Sequence, residues 1–155
     1  MRLRPELLKI RPELVEKLIA HFIRDYVASV GARGLVIGLS GGLDSSTTAH
    51  LAVRALGPKR VMALIMPEEE TYDPGAIKDA RAVAEQLGIE VEFVDITPVL
   101  KAIYGALPAY DPSADMARAN LKPRVRMLCL YYYANRFGYL VCGATDKSEA
   151  MLGYY

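Results

Sequence analysis

Residues 38–46 read Gly38-Leu39-Ser40-Gly41-Gly42-Leu43-Asp44-Ser45-Ser46 and carry the strongest chemical signal in the chain. Two adjacent glycines let backbone N–H groups approach an anion with no Cβ in the way. The hydroxyls of Ser40, Ser45 and Ser46 can donate to phosphate oxygens, and a helix opening near Asp44 adds its positive end. Asp44 alone would repel a phosphate, so a cation is expected between the two, and the donor type suits Mg2+. The pattern G-x-x-x-x-G-K-[ST] is absent, which argues against a loop that transfers a γ-phosphate. A capped strand-to-helix turn would account for a bare Gly-Gly, but not for the complete Ser-Gly-Gly-x-Asp-Ser-Ser run.

A second candidate group is Asn120, Lys122, Arg124 and Arg126, set just before an apolar helical pattern. Pro123 suits a first helical turn, so a helix is expected from there to Phe137. Cations at a helix start oppose its dipole, and something anionic should offset that cost. Elsewhere Glu68, Glu69 and Glu70 stand in a row. They could form a metal site, but contiguous like charges repel, and a solvated loop is expected. His21 and His50 fall within helical patterns with no partner in view and are given no role. Cys129 and Cys142 lie in apolar surroundings without metal-ligand or redox spacing, as reduced core thiols would.

The elements that must position these residues follow from periodicity. Leu14, Leu18, Phe22, Tyr26 and neighbouring apolar residues recur at helical spacing, giving an amphipathic N-terminal helix over about 12–30. Short apolar runs at 35–39, 61–66, 91–96 and 139–142 read as buried strands. Helical patterns at 44–56 and 76–87 separate the first three, a helix starts at Thr97-Pro98, and 105–115 reads as a loop. Alternating strands and helices imply an α/β fold, a doubly wound parallel sheet with helices on both faces. Ligands bind beyond the carboxyl ends of such strands, so 40–46, 67–72 and 143–149 are expected to face one crevice.

With 155 residues, 52% hydrophobic and 24% charged, residues 1–155 are expected to form a single domain with a sizeable core. A formal net charge of +1 gives no basic excess for a nucleic-acid partner. No apolar run is long enough to span a bilayer, and the start lacks the pattern of a signal peptide. A cytoplasmic protein with no membrane or nucleic-acid partner is expected.

The 38–46 stretch resembles the PP-loop of the ATP pyrophosphatases, which include NAD+, GMP and asparagine synthetases and several tRNA-modifying enzymes. Asn120-Leu-Lys122-Pro-Arg124-Val-Arg126-Met127, then Asp146-Lys147-Ser148-Glu149 and Gly153-Tyr154, resemble the ammonia-dependent NAD+ synthetases in that family's order. The likeness covers nearly the whole chain. It implies a Rossmann-like adenine nucleotide alpha hydrolase fold. It also implies amidation of nicotinic acid adenine dinucleotide by ammonia through an adenylate, yielding NAD+, AMP and pyrophosphate from ATP. By the same resemblance, Gly38, Leu39, Ser40, Gly41, Gly42, Asp44, Ser45, Ser46 and Thr145 would bind ATP. Asp44 and Glu149 would hold Mg2+ and serve catalysis, while Asn120, Arg124 and Tyr154 would line the dinucleotide site between two subunits.

The chain departs from the family in three places. Gly143-Ala144-Thr145 stands where the family has Gly-Thr, so either Thr145 substitutes for the ATP-contacting threonine or that contact is missing. The acidic run at 68–70 replaces a more polar stretch. The chain stops at Tyr154-Tyr155 where family members continue, so a further C-terminal portion is expected. Apolar residues over more than one face of the 120–137 helix, including Met127, Leu128, Tyr131 and Tyr132, suggest a homodimer. No cysteine is placed beside a base as a glutaminase nucleophile requires, so free ammonia is the expected nitrogen source. A different PP-loop enzyme, GMP synthetase-like or a tRNA thiolase, is the first alternative, although neither a reactive cysteine nor a basic surface supports a thiolase. A non-catalytic nucleotide-binding module is the second, and Asp44 with Glu149 argues against it.

Overall fold

The computed structural model describes residues 9–153. In the first strand, β1 (Gly34–Gly38), side chains alternate across the sheet, and that alternation divides the core in two. Leu35, Ile37 and Leu39 pack on one side with Val61, Ala63 and Ile65 of β2 (Val61–Ile65). Val36 packs on the other with Met62, Leu64 and Met66. The first face is covered by α1 (Pro12–Ser29), α2 (Leu43–Leu56) and α3 (Pro74–Leu87), through Val27, Ala49, Ala52, Ala80 and Ala84. The second is covered by α4 (Thr97–Ala106) and α5 (Asp115–Phe137), through Leu100, Val125 and Ala134. Small alanines on the helices let them approach the sheet closely, which leaves the strands to supply the bulk.

The four strands are all parallel in the order β3-β2-β1-β4, with β3 at Glu90–Phe93 and β4 at Tyr139–Cys142. The chain therefore winds outward from β1 in both directions, and the expected doubly wound sheet is what forms. The reversal falls between β1 and β4, and all carboxyl ends point the same way. A short helix, α6 (Lys147–Leu152), follows β4.

Three expectations need correction. β3 is shorter than 91–96, and Glu90 and Phe93 are exposed because it lies at the edge of the sheet. Its continuation still holds to the neighbouring strand, with Val94 N–H donating to Ile65 O at 2.9 Å. The 105–115 loop is trimmed at both ends, since α4 runs to Ala106 and α5 begins at Asp115. Pro123 is consequently inside α5 rather than in its first turn. A proline in a helix costs one backbone hydrogen bond, a loss that the packing of Val125 and Ala134 outweighs. Arg124 and Arg126 thus lie mid-helix, and the dipole argument for an anion beside them fails.

The N-terminal helix forms as expected, but its apolar stripe is only partly used. Ala20 and Val27 are buried, whereas Leu14, Leu18, Phe22 and Tyr26, spaced four apart, are exposed. Among the described residues, no helix is long and apolar enough to cross a membrane.

Candidate nucleotide-binding site

Where β1 ends, Leu39 stays in the sheet by donating its N–H to Leu64 O at 2.9 Å, and the chain then turns into α2. The turn is knitted from within. Ser40 N–H donates to Ser45 Oγ at 3.2 Å, Gly42 N–H donates to Ser40 Oγ at 3.2 Å, and the two serine oxygens lie 3.0 Å apart. Ser45 is buried, and its hydroxyl and that of Ser46 reach back to Gly42 O at 3.2 and 2.7 Å. All three hydroxyls expected to meet phosphate thus make hydrogen bonds within the loop, and Ser40 is the exposed residue of the three. Gly42 is the N-cap of α2 and no side chain caps it. The first-turn N–H groups of Leu43, Asp44 and Ser45 have no intrahelical acceptor by construction, so the helix presents open donors to an anion.

Gly41 is the residue that geometry requires. Its φ is +86°, and a Cβ placed there would lie 2.3 Å from Ala76 O in the first turn of α3. The loop is therefore pressed backbone to backbone against a second helix start, itself capped by Asp73, which accepts from Gly75 N–H at 2.8 Å.

Beside this loop opens a cavity of about 410 Å³. Gly38, Leu39 and Ser40 form one wall, the end of β2 through Pro67 the floor, and Thr71, Asp73 and Ile77 another side. Arg126 and Leu130 of α5 close it. Apolar walls next to a polar, glycine-rich lip suit a flat base attached to a phosphate chain. Two of the three segments expected in one crevice meet here. The 143–149 segment contributes no wall to this cavity and follows β4, on the opposite side of β1 from β2.

The acidic run is not a solvated loop. Glu68 is only 3% exposed, while Glu69 and Glu70 are exposed as expected. The Glu68 carboxylate accepts from Thr71 N–H at 2.9 Å, Glu70 N–H at 2.8 Å and Lys122 Nζ at 2.8 Å. Burial pushes this carboxyl up, but the hydrogen bonds from Lys122 and Thr71 outweigh it and hold its pKa below the ordinary 4.5. Its burial could not be read from three like charges in a row, because the partner, Lys122, lies 54 residues away.

The remaining candidates separate. Asp44 is exposed in the first turn of α2, and its carboxylate has no protein partner among the described residues. Glu149 is half-buried in a capping box with Asp146; one oxygen accepts from Asp146 N–H at 3.0 Å and the other has no partner among the described residues. The two follow neighbouring strands, and among the described residues no three of His, Cys, Asp and Glu gather to hold an ion alone. Free carboxylate oxygens of that number suit Mg2+, which takes one or two carboxylates and completes its shell with ligand phosphates and water. Thr145 is exposed between β4 and α6. Asn120 and Arg124 are exposed on α5, where Arg124 donates to Asn120 O at 2.8 Å; neither lines the cavity. Tyr154 lies outside the described residues. Arg126, two residues on in the same motif, is the cation that does line the cavity, with Nε donating to Met66 O at 3.0 Å. Its signal was the spacing of four from Lys122. Burial pushes the Cys142 thiol up, opposite to what a nucleophile needs, and Cys129 moves the same way.

The model of the NAD synthase family matches residues 15–155. The chain belongs to the NAD synthase family. It is 45% identical over 151 residues to the NH3-dependent NAD+ synthetase of Hyperthermus butylicus, covering 97% of this chain and 54% of that protein. It is 49% identical over 145 residues to that of Methanocaldococcus jannaschii, covering 92% and 54%. The chain thus spans about half the length of the curated relatives it matches. Among solved structures, the NH3-dependent NAD synthetase of Campylobacter jejuni superposes with a TM-score of 0.86 at 31% identity, over 95% of this chain and 62% of its own. An NMN synthetase from Francisella tularensis gives 0.87 at 30%, over 95% and 60%.

Two outcomes are expected from this geometry. Gly41→Ala collides with the Ala76 carbonyl in a left-handed conformation, so it lowers unfolding free energy by about 2 kcal/mol or more and removes nucleotide binding. Chemical denaturation and titration calorimetry read both, and wild-type values in each would refute the contact. Because the folded pKa of Glu68 is depressed, its stabilisation is present above pH 4.5 and is lost as pH falls through the lower folded value. The difference in Tm between wild type and Glu68→Gln should therefore be constant near neutrality and shrink below pH 4.5. A difference unchanged down to pH 3 would count against it.

Proposed function

We propose that this chain carries the ATP-binding part of an ammonia-dependent NAD+ synthetase, acting in the cytoplasm on nicotinic acid adenine dinucleotide. The observation that carries the reading is the glycine loop on an uncapped helix start, with an unpartnered Asp44 in that helix's first turn. Gly41 and the open N–H groups of α2 would bind the β- and γ-phosphates of ATP, and the apolar cavity would take the adenine. Asp44 and Glu149 would hold Mg2+, which when bound would neutralise charge on the departing pyrophosphate. The nicotinate carboxylate oxygen attacks the α-phosphorus, the bond to pyrophosphate breaks, and ammonia then displaces AMP from the acyl adenylate. Curated relatives named for NAD+ at 41–49% identity favour the dinucleotide over the mononucleotide named for the Francisella neighbour at 30%. Curated relatives named NH3-dependent at 41–49% identity favour free ammonia over glutamine.

A second copy of the chain would cover the exposed apolar residues Met127, Leu128, Tyr131 and Tyr132 of α5, of which Tyr131 lines, with Phe22 and Tyr26 of α1, one groove of about 460 Å³. A monomer rarely leaves so much contiguous apolar surface open.

On the full-length protein, NAD+ formation is expected with ammonium and not with ammonia-free glutamine. Asp44→Asn is expected to keep the fold and lose about a hundredfold or more in turnover, the scale of a metal's contribution to charge stabilisation. Equal rates with glutamine would overturn the nitrogen source, and unchanged turnover of Asp44→Asn with the same Mg2+ dependence would overturn the metal role. Sedimentation at micromolar concentration should report a dimer; a monomer mass alone contradicts the shared face.

A further inference from the structure

Arg118, Lys122 and Arg126 are spaced four apart in α5 and so lie on one face of it, turned toward the loop that follows β2. Each meets that loop. Arg118 pairs with Glu70, Lys122 Nζ lies 2.8 Å from Glu68 Oε1 and 2.9 Å from Glu70 Oε2, and Arg126 Nε donates to Met66 O. Arg118 and Lys122 are both in ion pairs, and the cation without one is Arg126, at the cavity end of the ladder. Among the described residues no carboxylate reaches it, and its terminal NH2 groups meet no acceptor.

We propose that Arg126 is a ligand-contacting residue that donates to a phosphate of the bound nucleotide, and that the buried Glu68–Lys122 pair is what positions it. The proposal rests on the reading of the cavity as an ATP site. A planar guanidinium held through Nε leaves its outer edge free for an oxyanion, which is the geometry in which arginine recognises phosphate. That outer edge is open to solvent in the cavity, where an arriving oxyanion can replace water. Glu68 and Lys122 cannot relax independently, because separating them would leave a buried charge unpaired. The loop that carries Met66 O is thereby fixed against α5, one helical turn from Arg126. The family resemblance implies that Arg124 lines the dinucleotide site; the ladder assigns the anion contact inside the cavity to Arg126.

Titration calorimetry of the chain with Mg-ATP and with adenosine tests this. Arg126→Met should weaken ATP about tenfold or more and leave adenosine within about twofold, the pattern of a lost charged hydrogen bond. Arg54→Met, which removes an equal charge from an exposed pair with Glu16, should change neither. Glu68→Gln should weaken ATP severalfold in the wild-type background and not at all in Arg126→Met, since its effect passes through Arg126. Wild-type affinity for ATP in Arg126→Met, or equal losses for ATP and adenosine, would overturn the phosphate contact. Equal Glu68→Gln losses in both backgrounds would overturn the positioning role. If Glu68→Gln fails to fold, Lys122→Met in the same two backgrounds gives the same reading. A wild-type chain that binds no ATP at millimolar concentration would instead overturn the function proposed above, and this inference with it.

Discussion

Gly41 touches Ala76 backbone to backbone, and the shape of the site follows from that contact. The loop leaving β1 must turn sharply to feed α2, and it does so in a left-handed conformation that a side chain would not tolerate. Pressing the turn against α3 links the two crossovers on one face of the sheet. The serine hydroxyls then act mainly within the loop, holding its N–H groups outward. Because rigid donors need no rearrangement to meet an anion, a loop built in this way stabilises charge more effectively than a mobile one of the same composition. Binding capacity here is a property of backbone geometry, with side chains as scaffolding.

The second organising feature is electrostatic. The loop after β2 would splay if its three glutamates were solvated. Instead Glu68 turns inward and α5 supplies the cations, so loop and helix close one side of the cavity together. Buried ion pairs add little net stability compared with apolar packing, but they tolerate few alternative arrangements. That selectivity suits a wall that must hold its position next to a charged ligand.

Much of this was legible in the residues. The continuous apolar runs of β1 and β2, and the glycines and caps between elements, sufficed for the parallel doubly wound sheet, which rests on local patterns. The 38–46 loop was legible because its chemistry is contiguous. What escaped depended on distance in sequence. Glu68 read as solvated because its partner Lys122 comes from another element. Pro123 read as a helix start because local preference for first turns is strong, whereas packing of Val125 and Ala134 decided otherwise. Arg126 went without a role of its own, because spacing along a helix face sets it apart from Arg124 only once α5 is known to begin at Asp115. The edge position of β3 could not be inferred from its apolar run, since strand order is a tertiary property.

The central claim is that backbone N–H groups of the loop after β1 receive the phosphates of ATP. Amide NMR shifts of the chain, followed as Mg-ATP is added, test it most directly. The account predicts saturable shifts concentrated at Gly41, Gly42, Leu43 and Asp44, with smaller ones along Leu64 to Pro67, and none for adenosine at the glycines. Shifts confined to other surfaces, or equal shifts at the glycines with adenosine, would contradict it.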